Sequence, residues 1–425
     1  RRLSEAFIRQ ARRRTLYVLS AGILSLGSAY LTDDRYELKS ELYPANVCYN
    51  IALAFQRTAQ TRNYHKTSKD FTFHARSTHQ ADEREVYVMV VGETSRACNW
   101  ALYDYERETN PGLSGIGGLT AFSHVLTESN TTHKSVPMLL SPVSASSFDS
   151  IYYQKGIITA FKEAGYQTAF FSNQRYNHSF IDFFGKEADT YDFIKEDVGD
   201  SNYNPSDDKL LKLVAKELGK GVSRQFIVLH TYGSHFNYKE RYPAEQAFFL
   251  PDMPVDAEVK YKDNLINAYD NSIRYTDNFL VRLIDMLQKQ HVNSALIYTS
   301  DHGEDIFDDN RHLFLHASPV PSYYQIHVPF FIWMSDNYRQ RYPSLLEAAQ
   351  ANRQKNVSSS ASFFQTMLEI GGVETPYRND SLSVTSALFI ERPRVYLNDH
   401  NEARTLDDVG MLKEDFKMLE EKGIR

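Results

Sequence analysis

Residues 85–94 read EVYVMVVGET, and this short stretch decides the fold class. Positions 86–91 form a continuous apolar run, which is typical of a strand that is buried on both faces of a sheet. Gly92 ends the run and Glu93 follows it directly. Strands buried on both faces belong to parallel sheets covered by helices, so the stretch predicts an α/β fold.

The chain beyond this strand alternates between helical and strand patterns. The alternation predicts a largely parallel central sheet that is sandwiched by helices. The predicted helices cover residues 156–164 and 261–290, and the further predicted strands cover 166–171, 226–229, 295–299 and 328–333.

An uncharged apolar segment near the start of the sequence, residues 15–31, reads TLYVLSAGILSLGSAYL. Its length is at the short end for a membrane-spanning helix. Arginines at 12–14 precede it, and this basic flank predicts a cytoplasmic N-terminal end and an exported remainder. Its glycines and hydroxyl residues leave a buried apolar helix open as the alternative. We expect a basic flank and transmembrane helix over 1–31, an amphipathic helix and linker over 32–84, and the main domain over 85–425.

The composition excludes several classes of protein. The chain has 425 residues, 42% of them apolar and 24% charged, which is typical of a globular protein. Its net charge of −7 argues against nucleic acid as the main partner. Cys48 and Cys98 are the only cysteines, which excludes disulfide scaffolds, iron–sulfur sites and cysteine-rich zinc modules.

Three predicted strands end in side chains that bind divalent metals. Glu93 follows the first of these strands, His235 lies beyond another, and Asp301 and His302 follow a third. The carboxyl ends of parallel strands meet at one edge of a sheet. Zinc accepts carboxylate oxygen and imidazole nitrogen as ligands. Each acid alone would also suit a helix or turn cap, but together they predict a metal site.

A cluster of hydroxyl residues offers a nucleophile. The segment SNTTHKSVP, residues 129–137, precedes a predicted helix, whose N-terminus favours a phosphate. A metal-bound hydroxyl loses its proton more readily, which would activate it. An ordinary threonine cap is the alternative, and the spacing leaves Thr131, Thr132 and Ser135 equally open.

Several motifs together resemble the phosphoethanolamine transferases that modify lipid A and other envelope glycans. That family belongs to the alkaline phosphatase and sulfatase superfamily and includes the polymyxin-resistance enzymes. The motifs follow the family's order over about residues 85–380, whereas SDHGE alone would indicate only the superfamily. They are VVGETSRACNWALYDYERETNPGL, TTHKSVPML, LHTYGSHFNYKERYP, YTSDHGED, FLHASP and HVPFFIWMS.

The resemblance implies a set of site residues. Thr132 matches the nucleophile, because it lies five residues before the proline of SVP. His235 and His316 match histidines near the substrate, which are sometimes seen with a second zinc, and Asn173 resembles a position near the phosphoethanolamine group. The zinc ligands that it implies are Glu93, Thr132, Asp301 and His302.

The resemblance also implies an activity and a location. It implies a zinc-dependent phosphotransferase of the EC 2.7 type that takes phosphoethanolamine from phosphatidylethanolamine and gives it to lipid A or another envelope glycolipid. A phosphothreonine-type intermediate connects the two steps. The enzyme would be a monomer in the bacterial inner membrane, with residues 85–425 as its periplasmic catalytic domain.

The sequence departs from the family pattern in two places, so alternative functions stay open. Two cysteines cannot form the several disulfides of the polymyxin-resistance enzymes, and SNTTHKS replaces small residues and a cysteine, which leaves the acceptor undecided. The rivals are a phosphoglycerol transferase, a phosphodiesterase or sulfatase-like hydrolase, and a non-catalytic envelope-binding module. The nucleophile position lacks the C/S-x-P-x-R element of sulfatases, and a binding module needs no nucleophile.

Overall fold

The computed structural model describes residues 4–32, 37–80, 84–195 and 204–424. The chain divides into two compact units, one up to Arg62 and the other from Asn63 onward. The first unit contains the helices α1 (Glu5–Thr32), α2 (Leu38–Glu41) and most of α3 (Ala45–Thr67). Among the described residues, α1 alone is long and apolar enough to cross a membrane, by length and composition only. It contains the predicted segment 15–31 and begins ten residues earlier.

The second unit is built on a seven-stranded sheet. In spatial order the strands run β2, β7, β6, β1, β5, β3, β4. Their bounds are β1 (Glu85–Gly92), β2 (Leu119–Phe122), β3 (Gln167–Ser172), β4 (Thr190–Phe193), β5 (Arg224–His230), β6 (Asn293–Ser300) and β7 (Phe330–Met334).

The sheet is mixed and not wholly parallel. Strands β6, β1, β5, β3 and β4 run parallel, and β1 is central, with Gly92 opposite Ser300 and Val91 opposite His230. Strand β7 is antiparallel to both β6 and β2. An apolar run has no direction, so the sequence located β7 but not its orientation. Strands β2 and β4 were not predicted, because each has only four residues and lies at an edge.

Helices cover both faces of the sheet, as predicted. The helices of this unit are α4 (Thr132–Leu139), α5 (Ile157–Glu163), α6 (Phe180–Gly185), α7 (Asp208–Leu218), α8 (Lys262–Gln288), α9 (Tyr323–Ile326), α10 (Asp336–Arg341), α11 (Pro343–Asn352), α12 (Ser359–Ile370) and α13 (Lys413–Glu421).

Two hydrophobic cores lie on opposite faces of β1. Tyr87, Met89 and Val91 enter one core, and the alternate residues Val86 and Val88 enter the other. Successive side chains of a strand point to opposite faces, so both sets must be apolar. This arrangement explains the uninterrupted apolar run of the sequence and confirms the predicted fold class.

The predicted linker packs on the second unit over part of its length. Arg76–Ser77 form a short strand that pairs antiparallel with Val373–Glu374. The Glu163 carboxylate accepts hydrogen bonds from the backbone N–H groups of Phe73 and Ala75, both at 3.0 Å. The segment thus packs through backbone hydrogen bonds together with single buried side chains such as Phe73, and neither kind of contact needs a periodic sequence.

Candidate active site

The carboxyl ends of β1 and β6 bring three predicted ligands together. Glu93 follows β1, and Asp301 and His302 follow β6, its parallel neighbour. The backbone N–H of Asp301 donates to the carbonyl of Gly92, which fixes the two strand ends against each other. All three side chains are buried, and their ligand atoms lie within 4.8 Å of one another.

Thr132 completes this cluster from a different element. It is the first residue of α4, after Thr131 at the N-cap. Its Oγ1 lies 3.1 Å from His302 Nε2 and 3.2 and 3.4 Å from the two oxygens of Glu93. Of the three hydroxyls left open by spacing, Thr132 is thus the one that contacts both Glu93 and His302. Ser135 lies one turn behind, with its hydroxyl 3.4 Å from Asp301 Oδ2.

The donor atoms have the spacing of a tetrahedral zinc site. Ligand atoms about 2.0–2.2 Å from a tetrahedral zinc lie about 3.3–3.6 Å from one another. His302 Nε2 lies 3.5 Å from Glu93 Oε1 and 3.3 Å from Asp301 Oδ2. The contacts of Thr132 fall at 3.1–3.4 Å. Two carboxylates, one imidazole and one hydroxyl are also the donor types that zinc accepts, so these residues fit the metal.

Neighbouring groups orient each ligand. The Nδ1 of His302 donates to the carbonyl of Gly303 at 2.9 Å, which leaves the Nε2 lone pair facing the cluster. Asp301 Oδ1 accepts from the backbone N–H groups of Thr94 and His302. The hydroxyl of Thr94 donates to Glu93 at 2.7 Å. Fixed partners of this kind typically tune metal affinity.

The electrostatics of the cluster favour a cation. Burial, and then the charge of Asp301, raises the pKa of Glu93 well above its usual value. Burial raises the pKa of Asp301 to about 6, and burial lowers the pKa of His302 well below its usual value. A divalent cation would offset the penalty on the two carboxylates, and the neutral imidazole that burial favours in His302 is the form that binds a metal.

Gly303 is required by close packing and not by a left-handed turn. A Cβ at this position would collide with the carbonyl oxygen of Tyr324 and come within 2.8 Å of the Arg96 Cβ. Its missing side chain lets the backbone of Tyr324, in α9, approach the residue that follows the Asp-His pair.

The two further predicted histidines border the cluster. The His316 ring centre lies 4.2 Å from that of His302 and 6.1 Å from that of His235. His316 Nδ1 lies 3.3 Å from a carboxylate oxygen of buried Glu304. The loop carrying His316 therefore folds back toward His302.

Asn173 is not brought to the cluster. Its amide donates to Asp207 Oδ1 and to the carbonyl of Pro205, both at 2.8 Å. The next residue, Gln174, reaches the site instead, because its amide nitrogen lies 3.3 Å from Glu93 Oε2. Adjacent positions after a strand point in different directions, and a motif match cannot distinguish them.

The sequence reasoning also missed His230 and Glu304. His230 ends β5, is fully buried, and its Nε2 lies 4.0 Å from Glu93 Oε2. Burial lowers the pKa of His230 to about 3, so it is neutral beside the carboxylate. Its position at a strand end was the signal that could have found it.

Comparisons with known proteins agree with this geometry. The model of the sulfatase family matches residues 85–373. Phosphoethanolamine transferase EptA of Salmonella typhimurium is 30% identical over 319 residues, which make up 70% of this chain and 55% of the relative. The Kdo(2)-lipid A phosphoethanolamine 7''-transferase of Escherichia coli is 29% identical over 299 residues, 68% of this chain and 51% of the relative. The chain thus spans about half the length of the curated relatives it matches.

A solved structure shows the same fold. The C-terminal periplasmic domain of EcEptC from Escherichia coli, solved in complex with Zn, superposes with a TM-score of 0.72 at 23% identity. The match covers 80% of this chain and 97% of that domain. The predicted resemblance is confirmed by the matched family and relatives, and the predicted fold by this neighbour. This chain belongs to the sulfatase family.

Proposed function

We propose that the chain transfers phosphoethanolamine from phosphatidylethanolamine to an envelope glycolipid such as lipid A. The observation that carries this proposal is Thr132 Oγ1, held 3.1–3.4 Å from Glu93 and His302 at the start of α4. A hydroxyl among metal-type ligands is the environment of a nucleophile. The names of the relatives support phosphoethanolamine as the transferred group and lipid A as the acceptor class.

Glu93, Asp301, His302 and Thr132 would hold one primary zinc ion. Bound there, zinc supplies Lewis acidity that lowers the pKa of a hydroxyl and neutralises charge on phosphoryl oxygens. The zinc complex of the Escherichia coli EptC domain, which has this fold, supports the choice of metal. The positive end of the α4 dipole would add to the attraction for a phosphoryl group.

The reaction proceeds in two steps. In the first, the Thr132 oxygen forms a bond to phosphorus, the bond from phosphorus to the glycerol oxygen breaks, and diacylglycerol leaves with a proton. In the second, an acceptor oxygen forms a bond to phosphorus, the bond to Thr132 breaks, and Thr132 regains its proton. Each step replaces one oxygen on phosphorus by another, so no oxidant or reductant is needed.

The flanking histidines have the environments of a base and an acid. His235 donates from Nδ1 to the carbonyl of Phe236 at 2.6 Å, which leaves Nε2 able to accept a proton. Burial lowers the pKa of His235 to about 4, so its ring is neutral at pH 7. Glu304 beside His316 raises the pKa of that ring despite burial, which suits it to protonate a leaving oxygen.

The phospholipid donor and helix α1 both support a location at the inner membrane. A phospholipid donor must be reached from its bilayer, and α1 has the length and composition of a membrane span. Arginines 12–14 would remain cytoplasmic, and residues 85–425 would form a periplasmic catalytic domain at the inner membrane. A reporter fused to the C-terminus that is active only in the cytoplasm would contradict this topology.

The test compares donors and products. The full chain is incubated in detergent with phosphatidylethanolamine or phosphatidylglycerol, and diacylglycerol release is followed with and without lipid A. We expect release from phosphatidylethanolamine, a phosphoethanolamine adduct on Thr132, and modified lipid A by mass spectrometry. Release from phosphatidylglycerol would indicate a phosphoglycerol transferase, release without transfer a hydrolase, and no release a binding module.

A further inference from the structure

A buried asparagine connects the segment of the nucleophile to the loop that carries His316. Asn130 is 2% exposed and lies two residues before Thr132. Its side-chain amide donates to the carbonyl of Ser318 at 2.9 Å, and its own carbonyl accepts from the backbone N–H of Ala317 at 3.3 Å. These two partners are the residues that directly follow His316. The two contacts therefore hold the loop against the nucleophile segment directly beside the histidine.

The backbone on both sides of His316 has an unfavourable conformation. Leu315 and Ala317 have φ angles of 68° and 62°. This left-handed region is rare for residues other than glycine, so neighbouring contacts must hold the turn in place. On the side of Leu315, the loop pairs antiparallel with Asp305–Ile306. On the side of Ala317, Asn130 provides the corresponding contacts.

Gln325, in α9, connects the same contacts to the segment of the metal ligands. Its side-chain oxygen accepts from the Asn130 amide, and its side-chain nitrogen donates to Ser318 Oγ at 2.9 Å and to Asp305 Oδ2. Its backbone carbonyl accepts at 2.9 Å from the N–H of Gly303, which follows the Asp-His pair. Gln325 is fully buried. The segments that carry the nucleophile, the Asp-His pair and the flanking histidine thus meet at one residue.

We infer that Asn130 is a positioning residue, which holds His316 where its ring can protonate the oxygen that leaves phosphorus. This inference rests on the proposed function, in which diacylglycerol leaves with a proton. It extends that function by adding a residue that acts through His316 and takes no part in the bond changes at phosphorus. A displacement of about 1 Å at a reacting group can cost about 10²-fold in rate.

A double-mutant cycle separates positioning from a purely structural role. Diacylglycerol release from phosphatidylethanolamine by the full chain in detergent is compared for Asn130→Ala, His316→Ala and the double variant. We expect Asn130→Ala to lower kcat about 10–100-fold and to change KM less than about threefold, because a misplaced histidine affects the chemical step. In the His316→Ala chain the same substitution should cost less than about threefold, because the group that it positions is already absent.

Asn352 offers a matched control. It is 3% exposed, and its side-chain amide donates to the backbone carbonyls of Val384 and Ser386 at 3.0 and 2.9 Å. Asn352→Ala thus removes the same kind of contact between a buried amide and a loop that holds no proposed site residue. We expect it to lower the melting temperature about as much as Asn130→Ala and to leave kcat within about twofold. If Asn130→Ala does not fold, Asn130→Ser takes its place, because its hydroxyl is polar but too short to reach Ser318.

Hydrogen exchange tests the contact without any activity. The exchange rate of peptides that cover residues 314–318 is measured by mass spectrometry in the unmodified chain and in both asparagine variants. We expect Asn130→Ala to raise this rate about 10-fold or more, because the loop loses hydrogen bonds of ordinary strength that keep it closed. Asn352→Ala should leave the rate within about twofold.

Each outcome decides the inference. Losses that multiply in the double variant would show that Asn130 does not act through His316, and they would overturn the inference. Unchanged turnover in Asn130→Ala would overturn it too, and so would an equal loss of kcat in Asn352→Ala. If the unmodified chain releases no diacylglycerol, the proposed function fails and hydrogen exchange decides alone: a raised rate would keep Asn130 as the residue that positions this histidine, and an unchanged rate would exclude it.

Discussion

Replacing Thr132 with alanine should abolish transfer and leave the fold intact. The substitution removes the hydroxyl that lies 3.1 Å from His302 Nε2 and 3.2 and 3.4 Å from Glu93. Loss of a covalent nucleophile lowers turnover on the order of 10⁴-fold or more. The residue is half-buried at the first position of α4, so we expect the free energy of unfolding to fall by only about 1 kcal/mol, the net value of a typical hydrogen bond.

Thr132→Ser is the matched conservative variant, because it keeps the oxygen and removes only the methyl group. That methyl restricts rotation about χ1, and its loss lets the side chain sample up to three staggered wells. The entropic cost of returning to one well is at most about RT ln 3, roughly 0.6 kcal/mol, or about threefold in rate. We therefore expect Thr132→Ser to retain turnover within about tenfold.

Neighbouring hydroxyls supply the controls. Thr131 makes no side-chain cap bond, and within the described part of the chain its Oγ1 forms a hydrogen bond only with Ser129 Oγ, at 3.2 Å. Thr131→Ala should therefore change turnover less than about threefold, since surface changes usually cost within about 0.5 kcal/mol. The assay is mass spectrometry of the chain after incubation with phosphatidylethanolamine and no acceptor, followed by peptide mapping. An adduct that persists in Thr132→Ala, on Thr131 or Ser135, would show that Thr132 is not the nucleophile.

Further predictions concern the metal ligands, the packing behind them and the flanking histidines. Asp301→Asn should lower the zinc content measured by elemental analysis, and unchanged zinc in this variant would contradict the shared site. The zinc affinity of the unmodified chain should fall as the pH drops below about 6, because the Asp301 carboxylate then gains a proton. Gly303→Ala should lower the free energy of unfolding by about 1–3 kcal/mol, because its methyl group would meet the Tyr324 carbonyl; a chain that melts at the original temperature would show that this packing is loose. His235→Ala and His316→Ala should each slow turnover about 10²–10⁴-fold with the primary zinc retained; Thr132 adducts that form and discharge at the original rate would leave both histidines without a catalytic role.

The strand ends could be predicted from the sequence because two rules act together. A doubly buried strand must be apolar throughout, so its end is marked by the first polar residue, as at Glu93. Parallel neighbours then bring such ends to one edge. Both rules predict that Glu93, Asp301 and His302 meet at one edge, and the structure places their ligand atoms within 4.8 Å of one another.

The rest of the site depends on the directions of side chains, helices and strands, which the sequence pattern does not determine. Thr131, Thr132 and Ser135 all offer a hydroxyl, and only the approach of α4 brings that of Thr132 to Glu93 and His302. Asn173 and Gln174 are neighbours, yet one contacts Asp207 and the other contacts Glu93. The antiparallel course of β7 escaped prediction for the same reason, since reversing a strand leaves its apolar run unchanged.

The predicted ligands are held mainly by backbone groups at the strand ends, as when Asp301 accepts from the N–H groups of Thr94 and His302. His235 and His316 lie instead on loops beyond the strand ends. Replacing either histidine therefore leaves the backbone partners of Asp301 in place. This is why we expect His235→Ala and His316→Ala to lose turnover and still retain the primary zinc.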